Sequence, residues 1–260
     1  MIRSKIVALA LGAAFLVGCA QHGDDSSDRK AARAREWLEL IVGKSAVADA
    51  RKQGQPILLK RWTNELRYYV VPESPASPQE GLDRISASAE RFVRKISDSA
   101  VADLPAITHV DTLEQANLLI VVGDVDDRQV AELEQWKGFA ELAQSMKQAT
   151  RGVFPLSSGS CFREKLTVEN TTTRGLVEIH DTTTQDAIDH CIATAMLDML
   201  GIEGLTDRSP SVTNAAHPSQ APEFVDRDAL RILYGDDAKP GTDLDARIQA
   251  YLAKAILPSP

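Results

Sequence analysis

The amino-acid sequence predicts an α+β domain, a mixed sheet with one buried helix, flanked by accessory helices at its N- and C-terminal ends. Three observations predict it. Residues 116–122 (Ala-Asn-Leu-Leu-Ile-Val-Val) form an almost unbroken apolar run that suits a central strand covered on both faces. Ile188, Cys191, Ile192, Ala195, Met196, Met199 and Leu200 recur at the spacing of one helical face, and Gly201 ends the run; this is a buried helix. Leu82, Ile85, Ala89, Phe92, Val93 and Ile96 mark a second amphipathic helix over residues 81–97.

The chain starts Met1-Ile2-Arg3-Ser4-Lys5, and residues 6–17 then carry no charge. That is the layout of a secretion signal, too short for a comfortable membrane span. The run closes on Leu16-Val17-Gly18-Cys19, which resembles a lipobox. Residues 1–18 are therefore expected to be a lipoprotein signal peptide, with Cys19 lipid-modified at the mature N-terminus. No Asp follows the Cys, which by resemblance to known sorting rules implies a cell-envelope protein anchored in the outer membrane and facing the periplasm. Polar residues 19–30 read as a flexible tether. An N-terminal helical segment, 31–56, follows, with Trp37, Leu40 and Ile41 on one side of a helix ended by Gly54.

The main domain is expected over 57–242. Residues 57–59 and 66–71 are β-prone, and Pro72, Pro75 and Pro78 mark a loop. Residues 129–148 read as a helix and 151–160 as a Gly/Ser-rich loop. In 176–180, Val177 and Ile179 point one way while Leu176, Glu178 and His180 point the other, the pattern of a half-exposed strand at a sheet edge. Thr182 and Gln185 have capping-box spacing before the buried helix. After a loop over 210–222 come helices at 226–234 and 244–256, the latter within a C-terminal helix and tail, 243–260.

Composition excludes one class of partner. The chain carries 29 Lys and Arg against 37 Asp and Glu, net −8; losing residues 1–18 removes Arg3 and Lys5 and leaves −10. So acidic a chain, with 5% aromatic residues, repels phosphate backbones and offers few stacking surfaces for nucleic acid. Beyond Cys19 only Cys161 and Cys191 remain. An even count in an exported protein predicts a disulfide, worth about 3–4 kcal/mol on the chain-entropy model.

The order of strand, helix, strands, edge strand and buried helix ending in Leu200-Gly201 is similar to the metzincin and matrixin type of zincin metallopeptidase. The resemblance implies a zincin-like fold with the motif H-E-x-x-H-x-x-G-x-x-H, in which three His hold zinc and the Glu takes a proton from bound water. Anchored on Leu200-Gly201, the first His falls on Thr194, the Glu on Ala195, the second His on Asp198 and the third on Gly204. Thr213 of Ser211-Val212-Thr213 stands at the Met-turn. The motif is degenerate: only Asp198 can ligate, and no residue replaces the base. Asp198 also lies off the apolar stripe, as a residue facing water would. No metal or other cofactor and no catalytic residue is expected.

The chain resembles more closely an uncharacterised proteobacterial lipoprotein family, domain-of-unknown-function family 2927. The resemblance is carried by Arg61-Trp62, Ala116-Asn117-Leu118, Cys161, His190-Cys191, Leu200-Gly201, Leu233-Tyr234 and Pro240-Gly241. The expected function is a non-catalytic, pseudoenzyme-like envelope lipoprotein. Its cleft, between strand 176–180 and helix 188–200, with His180 and His190 at hand, holds a peptide or protein partner through strand addition. One alternative is a metal-dependent hydrolase with a rearranged site around His180, His190 and Asp198. Another is a structural assembly factor whose helices near Trp37 and Tyr251 dock a partner.

Overall fold

The computed structural model describes residues 21–71, 79–99, 101, 103–122, 139, 142, 161–179, 184–204, 210–214, 222–235 and 237–255. The expected signal peptide, Cys19, His180, Thr182 and the expected loop at 151–160 lie outside the described residues, as does most of the expected helix at 129–148.

The first helix, α1 (Gln21–Val42), begins well before residue 31. The polar stretch read as a flexible tether is thus helical from Gln21. Trp37, Leu38, Leu40 and Ile41 anchor the far end in the core. A helix already nucleated there extends backward at little cost, because each added residue gains a hydrogen bond without a new nucleation step. The single helix expected over 31–52 is in fact two. Gly43, at φ 87°, breaks it, and α2 (Lys44–Gln53) follows, closed by left-handed Gly54.

The sheet contains β1 (Arg61–Trp62), β2 (Leu66–Val71), β3 (Ile107–His109), β4 (Leu118–Val122), β5 (Cys161–Val168) and β6 (Thr171–Ile179). Its order is β5-β6-β4-β2-β3, with β1 beside the start of β6; only the β5–β6 pair is antiparallel. β4 is the predicted central strand. Leu118 and Ile120 face the main core with Tyr68, Val70, Val177 and Ile179. Leu119 and Val121 face the other side with Leu176, Phe139 and Leu142. Burial on both faces explains the lack of alternation in the sequence. Asn117 pins the register: its side chain accepts from Arg67 N at 2.7 Å and donates to Glu65 O at 2.8 Å.

Two strand expectations are corrected. Residues 57–59 form only a bridge, Leu58 to Asp243. Residues 176–179 are no edge: β6 runs between β4 and β5, and Leu176, Val177, Glu178 and Ile179 are all buried. Glu178 made the segment look half-exposed, but β5 and the second apolar layer cover it. Among the described residues the edge on that side is β5.

α3 (Gln79–Ser97) lies against α4 (Gln185–Met199), the predicted buried helix, through Ser88 and Arg91 bonded to Asp189 and Arg84 bonded to Gln185. The N-cap of α4 is Thr184, whose Oγ1 accepts from Ala187 N at 3.3 Å; Gln185 is already helical and cannot close the expected box with Thr182. α4 presses onto β6 at Gly175, where a Cβ would come within 2.3 Å of Met199 Sδ. α5 (Phe224–Tyr234) and α6 (Leu244–Ala255) complete the main layer with α1. Trp37 and Tyr251, which mark the helices of the assembly-factor alternative, meet here. The two rings pack edge to face on each other, 5.4 Å apart, so they join α1 to α6.

Candidate functional site

The motif positions fall on α4 and the chain just after it. Thr194 is buried, and its hydroxyl donates to His190 O, 2.8 Å away within the helix. Ala195 is buried among apolar neighbours. Gly204 lies nowhere near a ligand position. Its N–H donates to Leu40 O at 2.8 Å, and an added Cβ would stand 1.9 Å from Glu39 O, so glycine is required for the chain to cross the end of α1. Thr213 is buried in a turn with Ser211, whose Oγ accepts from Thr213 N at 3.0 Å.

Asp198 does not face water. It is clasped by two cations from the edge strand: Arg163 Nε lies 2.6 Å from Oδ2, and Lys165 Nζ 2.9 Å from Oδ1. Lys165 also donates to the Asp198 carbonyl at 2.9 Å and pairs with Glu203 at 2.7 Å. Arg163 and Lys165 are two apart in β5, so strand alternation turns both toward the helix. The result is a four-charge clasp bridging β5 and the C-terminal end of α4. A divalent cation beside Asp198 would meet two positive side chains and one carboxylate already satisfied, an unfavourable donor set. Among the described residues, no group of three His, Cys, Asp or Glu side chains is placed to hold a metal.

His190 lies on the same side of α4, two turns from Asp198. Burial, and then the nearby Arg163 guanidinium, hold its pKa below the ordinary histidine value. Its Nδ1 is buried without a hydrogen-bond partner. The structure therefore brings together His190, Thr194 and Asp198 along one side of α4, but leaves Gly204 and Thr213 in separate structural contacts. Sequence reasoning missed Arg163 and Lys165. The signal that finds them is the Arg-Glu-Lys alternation within β5, once that strand is seen to be the edge.

A family model described as Protein of unknown function (DUF2927) matches residues 31–254. The chain belongs to this family. The match takes in α2, α6 and most of α1, beyond the 57–242 expected for the domain, in keeping with helices that share the main core. No curated protein matches the chain.

In this DUF2927 domain three of the pairs that carried the family resemblance, Arg61-Trp62, Leu200-Gly201 and Leu233-Tyr234, meet at one buried knot. Tyr234 Oη accepts from Trp62 N at 3.1 Å and donates to Leu200 O at 2.9 Å. Arg61 donates to Leu233 O at 3.1 Å and lies over the Tyr234 ring. Gly201, at φ 102°, packs where a Cβ would lie 2.6 Å from Lys60 O. Gly241 N donates to Leu59 O and Leu59 N to Thr242 O, at 2.9 and 2.8 Å. Burial drives the Tyr234 pKa strongly upward, so the phenol stays neutral. Nearby, buried Asp226 caps α5 and accepts from Ser211 Oγ, Val212 N at 3.1 Å and Glu223 N at 2.9 Å. Desolvation raises its pKa despite those three donors. The phenol of the first cluster and the carboxylate of the second are spent on neighbouring groups and backbone, whereas Arg61 Nε and Trp62 Nε1 lie buried without a hydrogen-bond partner.

Proposed function

We propose that the protein is a cell-envelope lipoprotein whose zincin-like domain is non-catalytic and binds a peptide or protein partner. The observation that carries this reading is the clasp on Asp198. At the motif's second His position, the carboxylate is neutralised by Arg163 and Lys165, and the first-ligand and base positions are a buried Thr194 and Ala195. Zincin-like descent is supported by the chain order of strand, α3, strands, the antiparallel strand β5, β6, then α4 ending at Leu200-Gly201. A partner strand has a place to add: among the described residues, no strand pairs with the outer side of β5. The hydrolase alternative has less support, since Asp198, one of its three residues, is already engaged.

Metal analysis of the purified protein after dialysis tests the reading. Zinc well below one equivalent is expected, and a retained equivalent of zinc overturns it. The lipid anchor at Cys19, outer-membrane placement and the absence of nucleic-acid binding belong to the same proposal. Labelled palmitate should enter the wild-type protein, and Cys19→Ser should abolish both labelling and membrane fractionation. We further propose that Cys161 pairs with Cys191. The support is that Cys191 is disulfide-bonded and that Cys161 opens β5, the strand clasped to the same helix.

A further inference from the structure

The hydrogen-bonding capacity of the clasp is uneven. Lys165 Nζ donates to Asp198 Oδ1, Asp198 O and Glu203 Oε1, which accounts for an ammonium's three donors. Arg163 is different. Among the described residues its one contact with an acceptor is Nε to Asp198 Oδ2, and its side chain is 27% exposed. A guanidinium carries five N–H donors in a planar fork, so the two terminal nitrogens still have donors to give, and among the described residues no acceptor meets them. His190 beside it is held toward its neutral form, so it adds no competing charge. Arg163 also stands in the strand whose outer edge has no neighbouring strand among the described residues.

We propose that Arg163 reads a single carboxylate on an extended peptide that adds to the outer edge of β5. This rests on the peptide-binding reading above and names the chemistry of the partner. A carboxylate matches a guanidinium fork in both charge and planar geometry. Strand alternation fixes which residue of the peptide is read: the acid lies on the α4 side of the added strand, across from Arg163. The four charges of the clasp already balance, so the attraction is local to the fork and not that of a basic patch. The partner therefore needs one acid at one position, within an otherwise β-prone segment, and gains nothing from an acidic run.

The test is selection of a phage-displayed random dodecapeptide library on the full-length protein, purified in detergent. Enriched peptides should share Asp or Glu at one fixed position in a β-prone stretch. Exchanging that acid for its amide should weaken binding about tenfold, the loss of one charge-assisted hydrogen-bonded pair. Arg163→Lys keeps a positive charge against Asp198 but lacks the fork. It should still bind the selected peptides while losing the acid preference, with thermal unfolding checking that the variant is folded. Peptides enriched without an acid preference, or a preference unchanged in Arg163→Lys, would overturn the role of Arg163 while leaving peptide binding in place. If no peptide is enriched, the peptide-binding reading falls, and this inference with it.

Discussion

The knot around Tyr234 and the clasp around Asp198 both join segments far apart in the chain, yet they use opposite materials. The knot is sealed: its hydroxyl is bonded on both sides to backbone, its ring carries a guanidinium, and a glycine admits the passing chain. The clasp is partly open and made of charges, with Arg163, Asp198 and Glu203 all reached by solvent. Buried backbone groups that lose a partner keep their full desolvation cost, whereas partly exposed charges can turn to water. The difference teaches where the chain is free to change. Exchange of side chains at the clasp should therefore cost less than a comparable change at the knot.

The sharpest way to break this comparison is Tyr234→Phe. It leaves Trp62 N and Leu200 O without their buried partner and should cost about 2–4 kcal/mol in urea unfolding. A loss below about 1 kcal/mol would mean that the knot is not the firmer of the two regions. Asp198→Asn should cost less, about 1–2 kcal/mol at low ionic strength, because Arg163 and Lys165 retain access to water or Glu203. That loss should shrink as salt is added; a salt-independent loss of the knot's size would show that the clasp is buried in effect. The smallest effect belongs to His190. Its folded pKa is lowered, so the unfolded chain binds the proton more readily, and stability should fall as the pH drops through and below the ordinary histidine value. In His190→Gln that part of the acid-side loss should vanish from the pH profile of thermal unfolding, and an unchanged profile would remove His190 from the account.

What could be read along the chain was whatever local periodicity or local turn chemistry encodes. The stripe from Ile188 to Leu200, the face of α3 and the run of β4 each follow from side-chain spacing alone, and each stands where it was expected. The empty motif positions were legible for the same reason, since Thr194 and Ala195 lack metal-binding groups whatever surrounds them. Strand neighbours were not legible. Whether residues 176–179 lie at an edge depends on β5 pairing with them, which alternation within one strand cannot report. Tether and helix at residues 21–30 were likewise undecided locally, because the choice turns on how firmly the far end of α1 is packed.

By itself, then, the sequence determined the composition of the layers and the lack of metal-binding side chains at Thr194 and Ala195, because both are properties of residue type and spacing. Only the tertiary structure decided that Asp198 is an ion-pair hub and that Gly204 is a helix-crossing point. The same step gathered Arg61, Trp62 and Leu200 around the Tyr234 phenol. Those roles depend on which distant group arrives within hydrogen-bond reach, and no local pattern of side chains contains that distance.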